Sequence, residues 1–237
     1  PLPPPPPPPP SPSPLTPPPS PPALTPTGTL TLGGAESIEL ANTVDLSALT
    51  LTGGGSYSLT LDPNASVATT VAQHNTATAI TAAGSETITF TDAGTATGNA
   101  DVEAYNLAAG TNAFTLDADG QNVTLDSTGN SGNVTINTGS ITTVTGTFDD
   151  NSGNDTIDLL INTDATTISS ANTTDVDAIQ LASGVSATLT IAQNALINSA
   201  TGTNTVTLAD AGTATGNADV EAYNLSSAGP NTFSLGA

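Results

Sequence analysis

The 237-residue chain has no Lys, Arg, Cys, Met or Trp, a single His, and only three Tyr and four Phe. Each absence removes a class of function. Without a cation the chain cannot clamp phosphates or neutralise a nucleic-acid backbone, so neither nucleic acid nor nucleotide is an expected partner. Polybasic attraction to anionic lipid is ruled out on the same ground. Without Cys there is no disulfide framework and no thiolate metal site, and one His builds no histidine cluster. No run of about 20 apolar residues occurs, so no membrane insertion is expected.

What is present is acidic and hydroxylic. Asp and Glu together number 21 and set the net charge at −21, yet only 9% of residues are charged, so Thr, Ser, Asn and Gly must make most of the surface. Seventeen of the 19 prolines lie between Pro1 and Pro26, in a stretch with no charge. Proline removes the amide donor and fixes φ, which predicts polyproline II for residues 1–26. At about 3.1 Å per residue that segment would reach roughly 80 Å, as a linker or an assembly segment. Residues 27–237 then form a Thr/Gly/Asn-rich repetitive β domain. Neither an initiator Met nor an apolar signal region precedes Pro1, which suggests a processed product or an excerpt of something longer.

From Thr27 onward short apolar-Thr-apolar triplets alternate with Gly, Asn, Asp and Ser. Examples are Leu49-Thr50-Leu51, Leu59-Thr60-Leu61, Ile88-Thr89-Phe90, Phe114-Thr115-Leu116, Val123-Thr124-Leu125, Val134-Thr135-Ile136, Leu189-Thr190-Ile191 and Val206-Thr207-Leu208. A period of two places the apolar side chains on one face of a strand and Thr on the other. A strand and its turn recur every 9 to 11 residues between Leu116, Leu125 and Ile136. Either a β-sandwich or a parallel β-solenoid with two or three short strands per coil has that rhythm. Short strands, few aromatics and the lack of clear two-residue hairpin turns favour the solenoid.

Internal repetition agrees. Asp92 to Leu107 and Asp210 to Leu225 are the same sixteen residues, which marks a duplication. Looser copies of the second half of this unit begin at Asp45 and Asp175. The second long copy stops soon after Phe233-Ser234-Leu235, which predicts an open solenoid end or a continuation, and with it self-association.

The densest acidic stretch supplies the candidate site: Asp149, Asp150, Asn151, Asp155 and Asp158 offer hard oxygen ligands suited to Ca²⁺. A solvated acidic turn is the alternative. Asp117, Asp119 and Asp126, and the repeat-related Asp92 and Asp210, read as turn residues that bond their own backbone. Asp101 and Glu103 alternate by two and would share a strand face, as a glycosidase pair could. Their recurrence as Asp219 and Glu221 instead points to an architectural role. His74 has no nucleophile or acid beside it, and the second copy reads Gln193-Asn194 at its place. Thr-x-Thr elements such as Thr29 to Thr31, Thr87 to Thr89 and Thr205 to Thr207 could form ice-binding ranks but fall at irregular intervals. Sequons at Asn64, Asn122, Asn133, Asn154, Asn172 and Asn224 permit glycosylation. No catalytic or cofactor-binding residue is expected.

The Gly153-Asn154-Asp155-Thr156-Ile157-Asp158 core resembles a single degenerate unit of hemolysin-type calcium-binding repeats. With the Asp101 to Leu107 and Leu189 to Leu196 stretches, residues 35 to 237 are similar in style to repetitive secreted bacterial surface proteins: large adhesins, calcium-binding repeat proteins and S-layer-like or filament proteins. The resemblance implies export, an extracellular or cell-surface location and a structural or adhesive role. The chain is therefore expected to be a non-enzymatic, self-assembling filament, sheath or surface-layer component. A stalk of a large adhesin and a polysaccharide-active β-helix or fibre protein are the alternatives, the last two with glycan or surface contacts.

Overall fold

A computed structural model describes residues 24–125, 132–151, 155–164, 166–169 and 175–236. Alternation of small or polar residues with Val, Ile, Leu and aromatics produces short strands that bury every second side chain, as in Ser56–Leu61 and Thr156–Ile161. Such strands are too short to stand alone. Winding the chain so that each one lies on its predecessor pairs both backbone edges and stacks the apolar side chains into a continuous core.

The first two coils carry three strands each: Gly28–Leu32 (β1), Ala35–Leu40 (β2) and Thr43–Asp45 (β3), then Leu49–Gly53 (β4), Ser56–Leu61 (β5) and Ser66–Thr69 (β6). A helix, Val71–Thr76 (α1), follows, and the next coils have two strands: Ala77–Thr81 (β7) with Thr87–Phe90 (β8), Thr95–Thr97 (β9) with Ala104–Leu107 (β10), and Thr111–Thr115 (β11) with Asn122–Leu125 (β12). Asn133–Asn137 (β13), Thr143–Val144 (β14) and Phe148–Asp149 (β15) form the central coil. Beyond it come Thr156–Ile161 (β16) with Thr166–Ile168 (β17), and Ala178–Leu181 (β18) with Ser186–Leu189 (β19). A second helical turn, Ile191–Asn194 (α2), leads to Ile197–Ala200 (β20) with Thr205–Leu208 (β21), Thr213–Thr215 (β22) with Ala222–Asn224 (β23), and Thr232–Ser234 (β24).

Every strand pair among the described residues is parallel, which identifies a β-solenoid and sets aside the sandwich. One face carries β2-β5-β7, then β9-β11-β13-β16-β18-β20, then β22-β24. The other carries β3-β6-β8-β10-β12-β15 and then β14-β17-β19-β21-β23. Thr87 pairs with Ala104 and Val123 with Phe148, so coils range from short to long, and the register shifts by a residue only where β5 meets β7 and β18 meets β20 among the described pairs. The interior is one column: Leu59, Ile88, Tyr105, Phe114, Ile136, Leu159, Ile179 and Val206 are fully buried.

Three departures from the expected pattern have local causes. Leu24, inside the Pro-rich stretch, pairs with Val44; its amide, which a proline would lack, donates to the Thr43 carbonyl at 3.0 Å. Pro1 to Ala23 lie outside the described residues. Leu189-Thr190-Ile191 is not one strand, because β19 ends at Leu189 and Thr190 caps α2. The copies at Asp45 and Asp175 feed strands on different ladders, β4 beside β1 and β18 beside β16, so that motif marks a turn entering a strand and not a fixed place in the coil.

Candidate functional site

The duplication is longer than the sixteen identical residues and is built around the two helical turns. In each copy a Thr-x-x-Gln sequence closes a capping box: Thr70 with Gln73 and Thr190 with Gln193. The same glutamines reach back to the preceding coil. Gln73 Nε2 donates to the Leu46 and Leu49 carbonyls, both at 2.8 Å, and Gln193 Nε2 to those of Ile168 and Ser169 at 3.4 and 3.0 Å. Gln121, at a strand corner, does the same to Asn99 and Val102 at 2.8 and 3.0 Å while its Oε1 accepts from Asp117 N at 2.9 Å. Three of the four glutamines thus tie coil to coil through backbone carbonyls, and the fourth, Gln180, reaches the Asp158 carboxylate of the preceding coil at 3.3 Å. Gln121, between Gly120 and Asn122, reads as exposed turn, and Gln73 and Gln193 each follow an Ala just past a strand, so the apolar alternation does not mark them. Room for Gln121 depends on glycine: a Cβ on Gly146 would lie 1.8 Å from its carbonyl oxygen, and one on Gly98 2.8 Å from its Oε1.

The acidic repeat residues also tie coils together. Asp92 Oδ1 and Asp210 Oδ1 accept the first helical amides, Val71 N and Ile191 N, each at 2.7 Å. They bond the preceding coil and not their own backbone as expected. Glu103 Oε2 accepts Glu86 N at 2.9 Å and Glu221 Oε2 accepts Asn204 N at 2.6 Å. Asp101 and Glu103 precede β10 and do not share a strand face. Asp117 takes Ala100 N at 3.1 Å and Asp119 takes Thr145 N at 2.7 Å; Asp126 lies outside the described residues. In a chain without cations, carboxylates find their partners in backbone N–H groups of a neighbouring coil, and Asp119 also in its own turn, where it takes Gly120 N at 2.8 Å.

Each helix interrupts one face of the ladder. Among the described residues β7 and β9 pair only with β5 and β11, and β20 and β22 only with β18 and β24. An open groove lies between the interrupted strands in both copies, of about 410 Å³ in the first and 420 Å³ in the second. Thr95, Ala96, Thr97, Gly98 and Asn99 line the first; Thr213, Ala214, Thr215, Gly216 and Asn217 line the second. Among the described residues the lining carries no carboxylate in either groove.

The copies differ at the head of the groove. His74 is 6% exposed and its Nε2 has no hydrogen-bond partner among the described residues. Its ring stands edge-on to Phe90 and Tyr105 with centroids 5.1 and 5.8 Å away. Burial holds the imidazole below its ordinary titration range, opposed by the neighbouring Asn75 amide. Asn194 takes the same place in the second copy and accepts the Tyr223 hydroxyl at 3.1 Å. Among the described residues, the ring contacts of His74 are Phe90 and Tyr105, and its one side-chain hydrogen bond is with Asn75.

The proposed calcium ligands do not converge as a set. Asp149 and Asp150 come together with Asp175, which was not among them; one carboxylate oxygen from each lies within 4.8 Å of the others. Loss of hydration first, and then the Asp150 and Asp149 charges, push the Asp175 carboxyl up. Asn151, with φ of 55°, closes the turn and donates its amide to Asp149 Oδ1 at 2.7 Å. Asp155 accepts Gly132 N and is 6% exposed, and its Oδ2 has no partner among the described residues. Asp158 points from β16 toward Gln180 Nε2 at 3.3 Å, with its carboxyl raised first by desolvation and then by Asp177. Asp149 and Asp155 fall in different coils, so sequence proximity does not become spatial proximity. Ser152 to Asn154, including the glycine of the calcium-like core, and the sequons at Asn154 and Asn172 lie outside the described residues. Among the described residues no helix is long and apolar enough to cross a membrane. Comparison with protein-family models, with curated proteins and with solved structures finds no match to this chain.

Proposed function

We propose that this β-solenoid is a non-enzymatic, extracellular structural protein that associates with itself into a filament, sheath or surface layer. The observation that carries this reading is the outer surface of the coils, where neutral hydroxyl and amide side chains stack in register. Thr143, Thr167, Thr188, Thr207 and Asn224 occupy successive strands of one face, and Asn224 Nδ2 donates to Thr207 Oγ1 at 3.3 Å. Such a surface is hydrated and needs no ion pairs, and without Lys or Arg it offers trypsin-like proteases no cleavage site. Coil-on-coil ties through Gln, Asp and Glu give the chain one axis along which force or length can be carried.

A second reading, a stalk within a large secreted adhesin, is favoured by the internal duplication, because repeating a coil block lengthens a rod without changing its cross-section. Electron microscopy of the purified protein separates the two. Ordered polymers with a constant axial repeat support the first; isolated rods at all concentrations reject it and leave the stalk.

A further inference from the structure

The two grooves are internal strand edges, a feature that rod stiffness does not require. In a strand, alternate N–H and C=O groups point to opposite edges. Half of those on β7 and β9, and half of those on β20 and β22, therefore point toward the gap between them. Amide side chains already serve this demand at the rims. Asn75 Nδ2 donates to the Thr95 carbonyl at 2.8 Å, Asn194 Nδ2 to that of Thr215 at 2.9 Å, and Asn217 Nδ2 to that of Ile197 at 2.8 Å. Both grooves exceed 300 Å³, the lower end of ordinary ligand clefts. Their walls hold Ala, Thr, Gly, Asn and Ile, with His74 at the head of the first groove alone and no Tyr, Phe or carboxylate among the described lining of either, so the two share no aromatic platform and no metal-ligand set. What these walls offer is main-chain hydrogen bonding with space for small alternating side chains.

We propose that the two grooves are strand-insertion sites, each taking an extended segment of a partner polypeptide that has small side chains and basic flanks and that completes the parallel ladder. Hydrogen bonds to two strand edges at once supply the affinity. The chain's charge of −21, with no cation to offset it, selects a positively charged partner and speeds its approach. The Asn amides at the rim yield their carbonyls to the incoming backbone. Because the grooves recur with the duplication, the described residues hold two such sites, one in each copy.

The test is calorimetric titration of the whole protein with a synthetic peptide of alternating Thr and Val flanked by lysines, beside the same peptide N-methylated at alternate amides. Two peptides per chain are expected for the native protein, one for Thr97→Trp, one for Thr215→Trp and none for the double variant. The N-methylated peptide should bind at least tenfold more weakly, a comparison that needs no variant to fold. No binding at millimolar peptide, a stoichiometry unaffected by the Trp substitutions, equal binding of the N-methylated peptide, or preferential occupation by a neutral oligosaccharide would each overturn the proposal.

Discussion

At the scale of single residues, stability rests on polar groups whose partners lie a full coil away. Gln121 is the clearest case, 2% exposed with both ends of its amide engaged. Gln121→Leu orphans the Asn99 and Val102 carbonyls and should cost ~2–4 kcal/mol in denaturant unfolding, since each unsatisfied buried group costs about 1–3 kcal/mol; a loss under ~0.5 kcal/mol would show that water replaces the amide freely. His74 is a second case. Burial lowers its folded-state titration, so the unfolded chain takes the proton first, near pH 6.5. Stability is complete above that value and declines as pH falls from it toward the folded value. His74→Asn, which reproduces the residue of the second copy, should flatten that part of the pH–melting curve, whereas an unchanged curve would remove His74 as its cause. Asp175 acts with the opposite sign. Its folded carboxyl is raised, by desolvation first and then by the Asp150 and Asp149 charges, so that cost is present at neutral pH and is relieved as pH falls through the folded value. If Ca²⁺ bridges the three, added Ca²⁺ raises the melting temperature and Asp175→Asn abolishes the response; melts that are identical with Ca²⁺ and with excess EDTA reject calcium there.

Among elements, the strands were legible in the sequence and the helical corners were not. Period-two triplets such as Val123 to Leu125 and Val134 to Ile136 became β12 and β13 because a buried ladder leaves local alternation as the only free choice. Leu189-Thr190-Ile191 carries the same alternation, yet Thr190 turns the chain: its hydroxyl accepts the Gln193 amide while Gln193 Oε1 accepts the Thr190 amide. The Thr-x-x-Gln spacing at Thr70 and Thr190 was the available signal. Thr190→Ala should cost ~1 kcal/mol and weaken amide-exchange protection in α2 and β20 before the rest; uniform loss of protection would contradict a local cap. The acidic site was hardest to read for a related reason. Carboxylates close in sequence are carried into separate coils, while Asp175, 25 residues beyond Asp150, returns beside it.

For the whole molecule, parallel stacking explains how a chain without a single cation or disulfide keeps one fold. Every coil presents the next with an apolar layer, a strand edge and a few side-chain acceptors, so burial and hydrogen bonding grow together along one axis. The absence of basic residues then has a structural counterpart: Asp92, Asp210, Glu103 and Glu221 use backbone amides where other proteins use Lys or Arg. Solenoids that join along that axis would continue the ladder, and strand spacing would be the fibre's own repeat. Diffraction from oriented assemblies of the purified protein tests this most directly. A meridional reflection near ~4.8 Å, the strand spacing along the fibre axis, is predicted; assemblies in which that reflection lies on the equator, or concentrated protein that stays monomeric, would contradict it.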